Sequence, residues 1–212
     1  MKKCYIAGAG EFFLDTPPAD GDFVIAADGG YNSLMSVGIS PNLLIGDMDS
    51  RLDMGERISC EVLKYPVEKD ETDMHLAYLE GARRGYTDFV ILGGTGGRED
   101  HTLANYALLL YMSERGHKGE LVGCNSNAFV IRNGGVRLCG AGGSRVSVFA
   151  MGGAADGVNI EGLKYGACGI KLTESMPLGV SNSLGDTEGR ISVESGALLI
   201  ITEKGVDKQF FV

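Results

Sequence analysis

Apolar and polar positions follow two rhythms along this chain, and the rhythm changes near Asn125. Before that point, short apolar runs alternate with helical periodicity. The runs 4–7, 23–27, 43–45, 61–65, 89–92 and 120–122 are bounded by Gly, Pro or Asp. Short runs with little polar alternation predict strands of a parallel sheet covered on both faces. Between them, 72–84 places Met74, Ala77, Tyr78 and Gly81 at i, i+3, i+4 and i+7. The stretch 102–115 places Leu103, Ala107, Leu110 and Tyr111 on one face before Gly116, and a shorter stretch, 31–37, stops at Gly38. These spacings predict helices.

After Asn125 the runs 129–132, 136–138, 145–150, 169–172, 190–193 and 197–202 are β-type. Turn signals such as Asn133-Gly134-Gly135, Gly142-Gly143 and Gly152-Gly153 separate them, and no long helical period appears. The expected architecture is an α/β domain over residues 1–125, a mostly parallel sheet flanked by helices. A smaller all-β sandwich- or barrel-like domain is expected over residues 126–212. The junction falls between Gly123 and Gly143.

Composition narrows the function classes. With 44% hydrophobic residues among 212, the chain can bury a sizeable core, and its 33 glycines demand tight turns or close backbone approach. A net charge of −9 offers no basic stripe for phosphodiester backbones, so nucleic acid is not the expected partner. The apolar run 4–9 is too short for a signal peptide and is followed by Glu11 and Asp15. No stretch approaches the ~20 apolar residues of a membrane span. Cys4, Cys60, Cys124, Cys139 and Cys168 are scattered and odd in number, so reduced thiols are expected. A cytoplasmic protein follows.

Open α/β sheets bind ligands beyond the carboxyl ends of their strands. The unusual residues gather there: Gly8-Ala9-Gly10, Asp28-Gly29-Gly30, Gly46-Asp47-Met48-Asp49-Ser50, Lys69-Asp70-Glu71-Thr72-Asp73 and the run from Gly93 to His101. Asp47 and Asp49 on a turn are oxygen ligands suited to Mg²⁺; the bland alternative is a solvated acidic turn. Asp28 and Asp73 are expected on the same rim. Two carboxylates about 4 Å apart repel by roughly 4 kcal/mol at an effective dielectric of about 20, which a bound cation relieves. Asp70 or Thr72 is expected to cap the following helix, leaving Asp73 as the metal-linked carboxylate.

The run Gly93 to Gly97 can cradle phosphate with backbone N–H groups. It lacks the Gly-Lys-Ser/Thr of a Walker A loop, and Gly8-Ala9-Gly10 meets Phe13 where a dinucleotide fingerprint needs glycine. Arg98 opposes the helix dipole, which favours a phosphate-gripping role. Asp100 can orient Arg98, accept a ligand hydroxyl or cap the helix. His101 suits either a supporting hydrogen bond or catalysis, the former favoured, and His75 and His117 read as exposed structural residues. Further on, the turn-like Gly179-Val180-Ser181-Asn182 either bonds its own backbone or meets a small substrate. Tyr165 is either a stacking surface for a flat ring or a core aromatic.

Six segments in order and spacing resemble the thiamine pyrophosphokinase family: Ala27 to Gly30, Pro41 to Ser50, Lys69 to Asp73, Gly96 to Asn105, Gly162 to Tyr165 and Gly179 to Asn182. The resemblance implies diphosphate transfer from ATP to thiamine with release of AMP. It implies an α/β catalytic domain, a C-terminal β-domain and a homodimer with thiamine in a cleft between subunits. By that resemblance Asp47, Asp49 and Asp73 bind Mg²⁺, and Asp28 lines the acidic site. Lys69, Thr72, Arg98 and Asp100 contact phosphates or place the thiamine hydroxyl, and Ser181 and Asn182 meet thiamine. Asp73 or Asp100 takes the hydroxyl proton. Some members stack thiamine on tryptophan; this chain has none, so Tyr165 or another aromatic takes that place. Rival readings are a D-x-D nucleotidyl- or glycosyltransferase and a non-catalytic thiamine- or nucleotide-binding protein.

Overall fold

A computed structural model describes residues 2–46, 58–66, 68 and 70–211. Asp47, Asp49 and Lys69 lie outside the described residues. The described chain combines parallel and antiparallel strands with flanking helices, and it divides into two compact units. One comprises residues 1–108 and 117–124, the other 109–116 and 125–212.

The first unit contains β1 (Cys4–Ala7), β2 (Phe23–Ala27), α1 (Gly30–Ser36), β3 (Leu43–Gly46), β4 (Glu61–Lys64), α2 (Asp73–Arg83) and β5 (Asp88–Leu92). Most of α3 (Glu99–Glu114) and all of β6 (Lys118–Val122) complete it. The strands lie in the order β6-β5-β1-β2-β3-β4, and every pairing is parallel. Both faces of β1, β2, β3 and β5 are buried, as expected of runs with no polar alternation, whereas the edge strand β4 has no fully buried residue. Tyr5, Ala7, Val24, Ala26, Leu44 and Val90 pack with Tyr31 and Leu34 of α1 on one face. On the other, Ile6, Ile25, Ile45, Phe89 and Ile91 are buried, and α2 contacts β1, β2 and β3. Burial pushes the Cys4 thiol up to about 12, so it is an inert core group. All five cysteines are unpaired thiols.

The second unit contains β7 (Ser126–Cys139), β8 (Arg145–Ala150), β9 (Ala155–Glu161), β10 (Ala167–Leu172), β11 (Gly179–Ser183), β12 (Glu188–Glu203) and β13 (Asp207–Phe211). β12 pairs antiparallel with β7, β8 and β9; β7 also pairs with β13, β8 with β11 and β9 with β10. Phe129, Ile131, Val136, Leu138, Val146, Val148, Ile160, Ile191, Leu198 and Ile200 form its core.

Here the sequence pattern misled in identifiable ways. Asn133-Gly134-Gly135 does not reverse the chain; it lies inside the single strand β7. Asn133 has φ 45°, and its side-chain oxygen accepts the Gly196 N–H at 3.0 Å. The β7–β12 register shifts between Val193 and Ala197. Turn chemistry is therefore used for a bulge, and the two runs on either side of it in β12 are one strand. Likewise 179–183 is a strand, and β9 and β13, rich in Gly, Asp and Lys, carry no run that the pattern could pick out. Among the described residues no helix is long and apolar enough to cross a membrane.

Candidate active site

In the order β6-β5-β1-β2-β3-β4 the winding reverses between β1 and β5, which marks a topological switch point. A cavity of about 590 Å³ opens there, lined by Gly8 to Glu11, Met74, Gly93, Gly94, Gly96 to Arg98, His101 and Asn105. The two strand ends are laced together beneath it. Gly8 N–H donates to the Leu92 carbonyl at 2.8 Å, Gly10 N–H to Gly93 at 2.9 Å and Glu11 N–H to Thr95 at 2.8 Å. A side chain at Gly10 would sit 2.4 Å from the Thr95 carbonyl oxygen and 2.7 Å from that of Gly93, so the close approach requires glycine. The Asn105 amide, 5% exposed, donates to the Gly94 carbonyl at 2.8 Å and holds the second turn from below. The result is a floor of backbone open to a ligand.

Arg98 stands at the rim, immediately before α3. Its Nη2 and Nε donate to the two Asp100 carboxylate oxygens at 2.6 and 3.1 Å, a bidentate pair. The His101 N–H also donates to Asp100, at 3.0 Å. Asp100 thus orients Arg98 and satisfies the helix start together. The hydrogen bond from Arg98 holds the Asp100 carboxyl below the usual range, and Asp100 raises Arg98. Such a carboxylate is a poor proton acceptor. α3 begins three residues earlier than its periodicity predicts, because its first turn is polar and built on this pair.

Thr72 caps α2: its hydroxyl accepts the His75 N–H at 3.2 Å, and Asp73 is the first helical residue. Asp28 closes β2 with φ 47°, a left-handed conformation costing about 1–3 kcal/mol outside glycine. Its N–H donates to the Ile45 carbonyl at 2.7 Å. A side chain at Gly46 would lie 3.3 Å from the Asp28 Cα, so glycine lets β3 pass close beside it. Gly46 leads into Asp47 and Asp49, which lie outside the described residues. Among the described residues no three His, Cys, Asp or Glu side chains gather as a metal site. His75 and His117 are half-buried rather than exposed, and the Tyr78 hydroxyl meets His117 Nδ1 at 2.9 Å.

In the second unit Tyr165 is 60% exposed and is not a core aromatic. Lys164 Nζ lies 5.3 Å from its ring centroid. Asn182 is buried and bonds the Tyr165 backbone, while Ser181 has φ 59° and donates its N–H to Ser147 Oγ at 3.1 Å. Met176, Leu178 and Val180 are also exposed. Sequence reasoning overlooked Glu11, Met74 and Asn105 as cavity residues. Glu11 was traceable, since it directly follows the glycine turn of β1; Met74 and Asn105 read as ordinary helix positions.

A family model described as "Thiamin pyrophosphokinase, catalytic domain" matches residues 19–120. The thiamine pyrophosphokinase of Bacillus subtilis (strain 168) is 29% identical over 183 residues, covering 84% of this chain and 85% of that protein. A crystal structure of a Bacillus subtilis thiamine pyrophosphokinase superposes with a TM-score of 0.85 at 26% identity, covering 95% of this chain and 99% of the other. The Candida albicans enzyme shares the fold, with a TM-score of 0.77 at 15% identity over 95% of this chain and 88% of its own. In sequence and in fold, then, the chain is similar to thiamine pyrophosphokinases, and the family model matches its segment 19–120.

Proposed function

We propose that the protein transfers diphosphate from ATP to the hydroxyl of thiamine, giving thiamine diphosphate and AMP. The observation that carries this reading is the cavity at the β1/β5 switch point, floored by backbone turns and edged by Arg98. Backbone N–H groups of the Gly93 to Gly97 turn and the Arg98 fork suit the phosphates, with Asp100 holding Arg98 in position. The thiamine hydroxyl oxygen attacks the β-phosphorus, the bond from that phosphorus to the α-bridging oxygen breaks, and AMP departs. Positioning and charge stabilisation carry most of such a step. The hydroxyl proton passes to a carboxylate. Asp73 and Asp100 are the two candidates, Asp100 engaged by Arg98 and Asp73 assigned to the metal.

The donor chemistry fits Mg²⁺: Asp28 and Asp73 offer half-buried carboxylate oxygens at a strand end and a helix start. In this reading Asp47, Asp49 and Asp73 hold the ion and Asp28 lines the site, with Lys69 and Thr72 beside the phosphates. When bound, Mg²⁺ neutralises charge on the phosphates. Residues 1–125 act as the catalytic α/β domain and 126–212 as a smaller all-β domain for thiamine binding and dimerisation. Tyr165 supplies the ring platform and Ser181 borders it. The exposed Met176, Leu178 and Val180 suit burial against a second copy, giving a cytoplasmic homodimer with a shared cleft. A verified monomer with full activity would refute the shared cleft.

The test is incubation with ATP, Mg²⁺ and thiamine. AMP and thiamine diphosphate should form in equal amounts; ADP, or no turnover, overturns the reading. A D-x-D glycosyl- or nucleotidyltransferase leaves the β-unit unexplained, and a pure binding protein shows no AMP.

A further inference from the structure

We infer that Asn182 acts as a positioning residue, its carboxamide fixing the backbone that presents the Tyr165 ring to thiamine; this rests on Tyr165 being the ring platform. Asn182 is 3% exposed. Its Oδ1 accepts the N–H of Tyr165 at 3.0 Å and that of Ser183 at 2.9 Å, and its Nδ2 donates to the Tyr165 carbonyl at 2.7 Å. A side-chain amide has two acceptor sites and two donor hydrogens. Three of these four are therefore spent on backbone, two of them on one residue 17 positions away. The carboxamide pairs with residue 165 as a neighbouring strand would.

The surroundings show why the clamp exists. Leu163 bridges Leu184, and the Lys164 N–H donates to the Ser183 carbonyl at 2.8 Å. Strand pairing therefore holds the segment up to Lys164, and Asn182 extends the hold by one residue. The ring of Tyr165 is 60% exposed, so little packing fixes it and its direction follows its backbone. The β8–β11 register shifts between Gly179 and Asn182, and Ser181 adopts φ 59°. Val180 and Ser181 are both exposed while Asn182 is buried. This bulge departs from strict alternation and turns Asn182 inward. Ser181 serves Tyr165 through that turn.

The test is steady-state kinetics of the full chain with ATP, Mg²⁺ and thiamine. Tyr165→Ala should raise the thiamine KM by about five- to tenfold, the range expected for losing one aromatic contact, and leave the ATP KM unchanged. Tyr165→Phe should stay near wild type. Asn182→Ala should raise the thiamine KM by about three- to tenfold with kcat and the ATP KM within about twofold. Because both changes remove one platform, the double variant should be no worse than Tyr165→Ala alone. If Asn182→Ala folds poorly, Asn182→Asp keeps size and the acceptor but sets a carboxylate against the Tyr165 carbonyl; it should show the same thiamine-selective effect. Full additivity in the double variant, or equal changes for ATP and thiamine, overturns the positioning role. An unchanged thiamine KM in Tyr165→Ala instead removes the platform reading, and the inference with it.

Discussion

Replacing Glu80 by glutamine should weaken the first unit in a pH-dependent way. Glu80 is 6% exposed and accepts hydrogen bonds from Arg83 Nε and Nη2 and from Arg84 Nε, all at 2.7 Å. Arg84 reaches on to Glu61 of β4 at 2.8 and 2.9 Å, and its guanidinium lies 4.9 Å from the Phe23 ring centroid. The cluster fastens the end of α2 to the sheet, and the start of α2 carries Thr72 and Asp73. The Arg83 hydrogen bonds, opposed by burial and aided by Arg84, bring the Glu80 carboxyl from 4.5 to about 2. At about 1.4 kcal/mol per pH unit this is worth roughly 3 kcal/mol. Arg83 is 70% exposed, and solvent screening reduces the figure to about 1–2 kcal/mol. A depressed carboxyl contributes stability that is complete above its unfolded value and lost as pH falls through the folded one. Urea unfolding at pH 7 should show Glu80→Gln less stable by about 1–2 kcal/mol, or about 2–8 °C in Tm. The gap should close as pH falls from 4.5 to about 2. No gap at pH 7, or the same gap at pH 3, would refute the reasoning.

Three further outcomes follow from the site. Gly10→Ala places a methyl against two carbonyl oxygens under the cavity, so the ATP KM should rise about tenfold or more while the thiamine KM changes little; equal effects on both would place ATP elsewhere. Asp100→Asn should raise the ATP KM several-fold without moving the Tm, because the exposed pair with Arg98 orients rather than stabilises; unaltered kinetics would contradict that role. Asp49→Asn should abolish turnover and leave thermal stability nearly intact, and a fully active variant would remove the aspartate from the metal set.

The strands β1, β2, β3 and β5 were legible in the sequence because a covered parallel strand needs an unbroken apolar run, here too short for a helix and bounded by Gly, Pro or Asp. The helices were legible from their apolar spacing, except for the polar first turn of α3, which has no apolar rhythm to report. The strands of the second unit were legible only in part. Asn133-Gly134-Gly135 carries the residues of a turn, and whether they reverse a strand or bulge it depends on the partner across the ladder, Gly196 here. Gly46-Asp47-Met48-Asp49-Ser50 announced a cation-binding candidate by composition alone. Tertiary structure decided what no local pattern contains: that β1 and β5 lie side by side, bringing Gly10 and Gly93 together. It also decided that Asn182 spends its amide on a residue 17 positions back. Local sequence sets backbone preference and burial, whereas which distant segments meet is set by the register of strands that only the folded chain brings into contact.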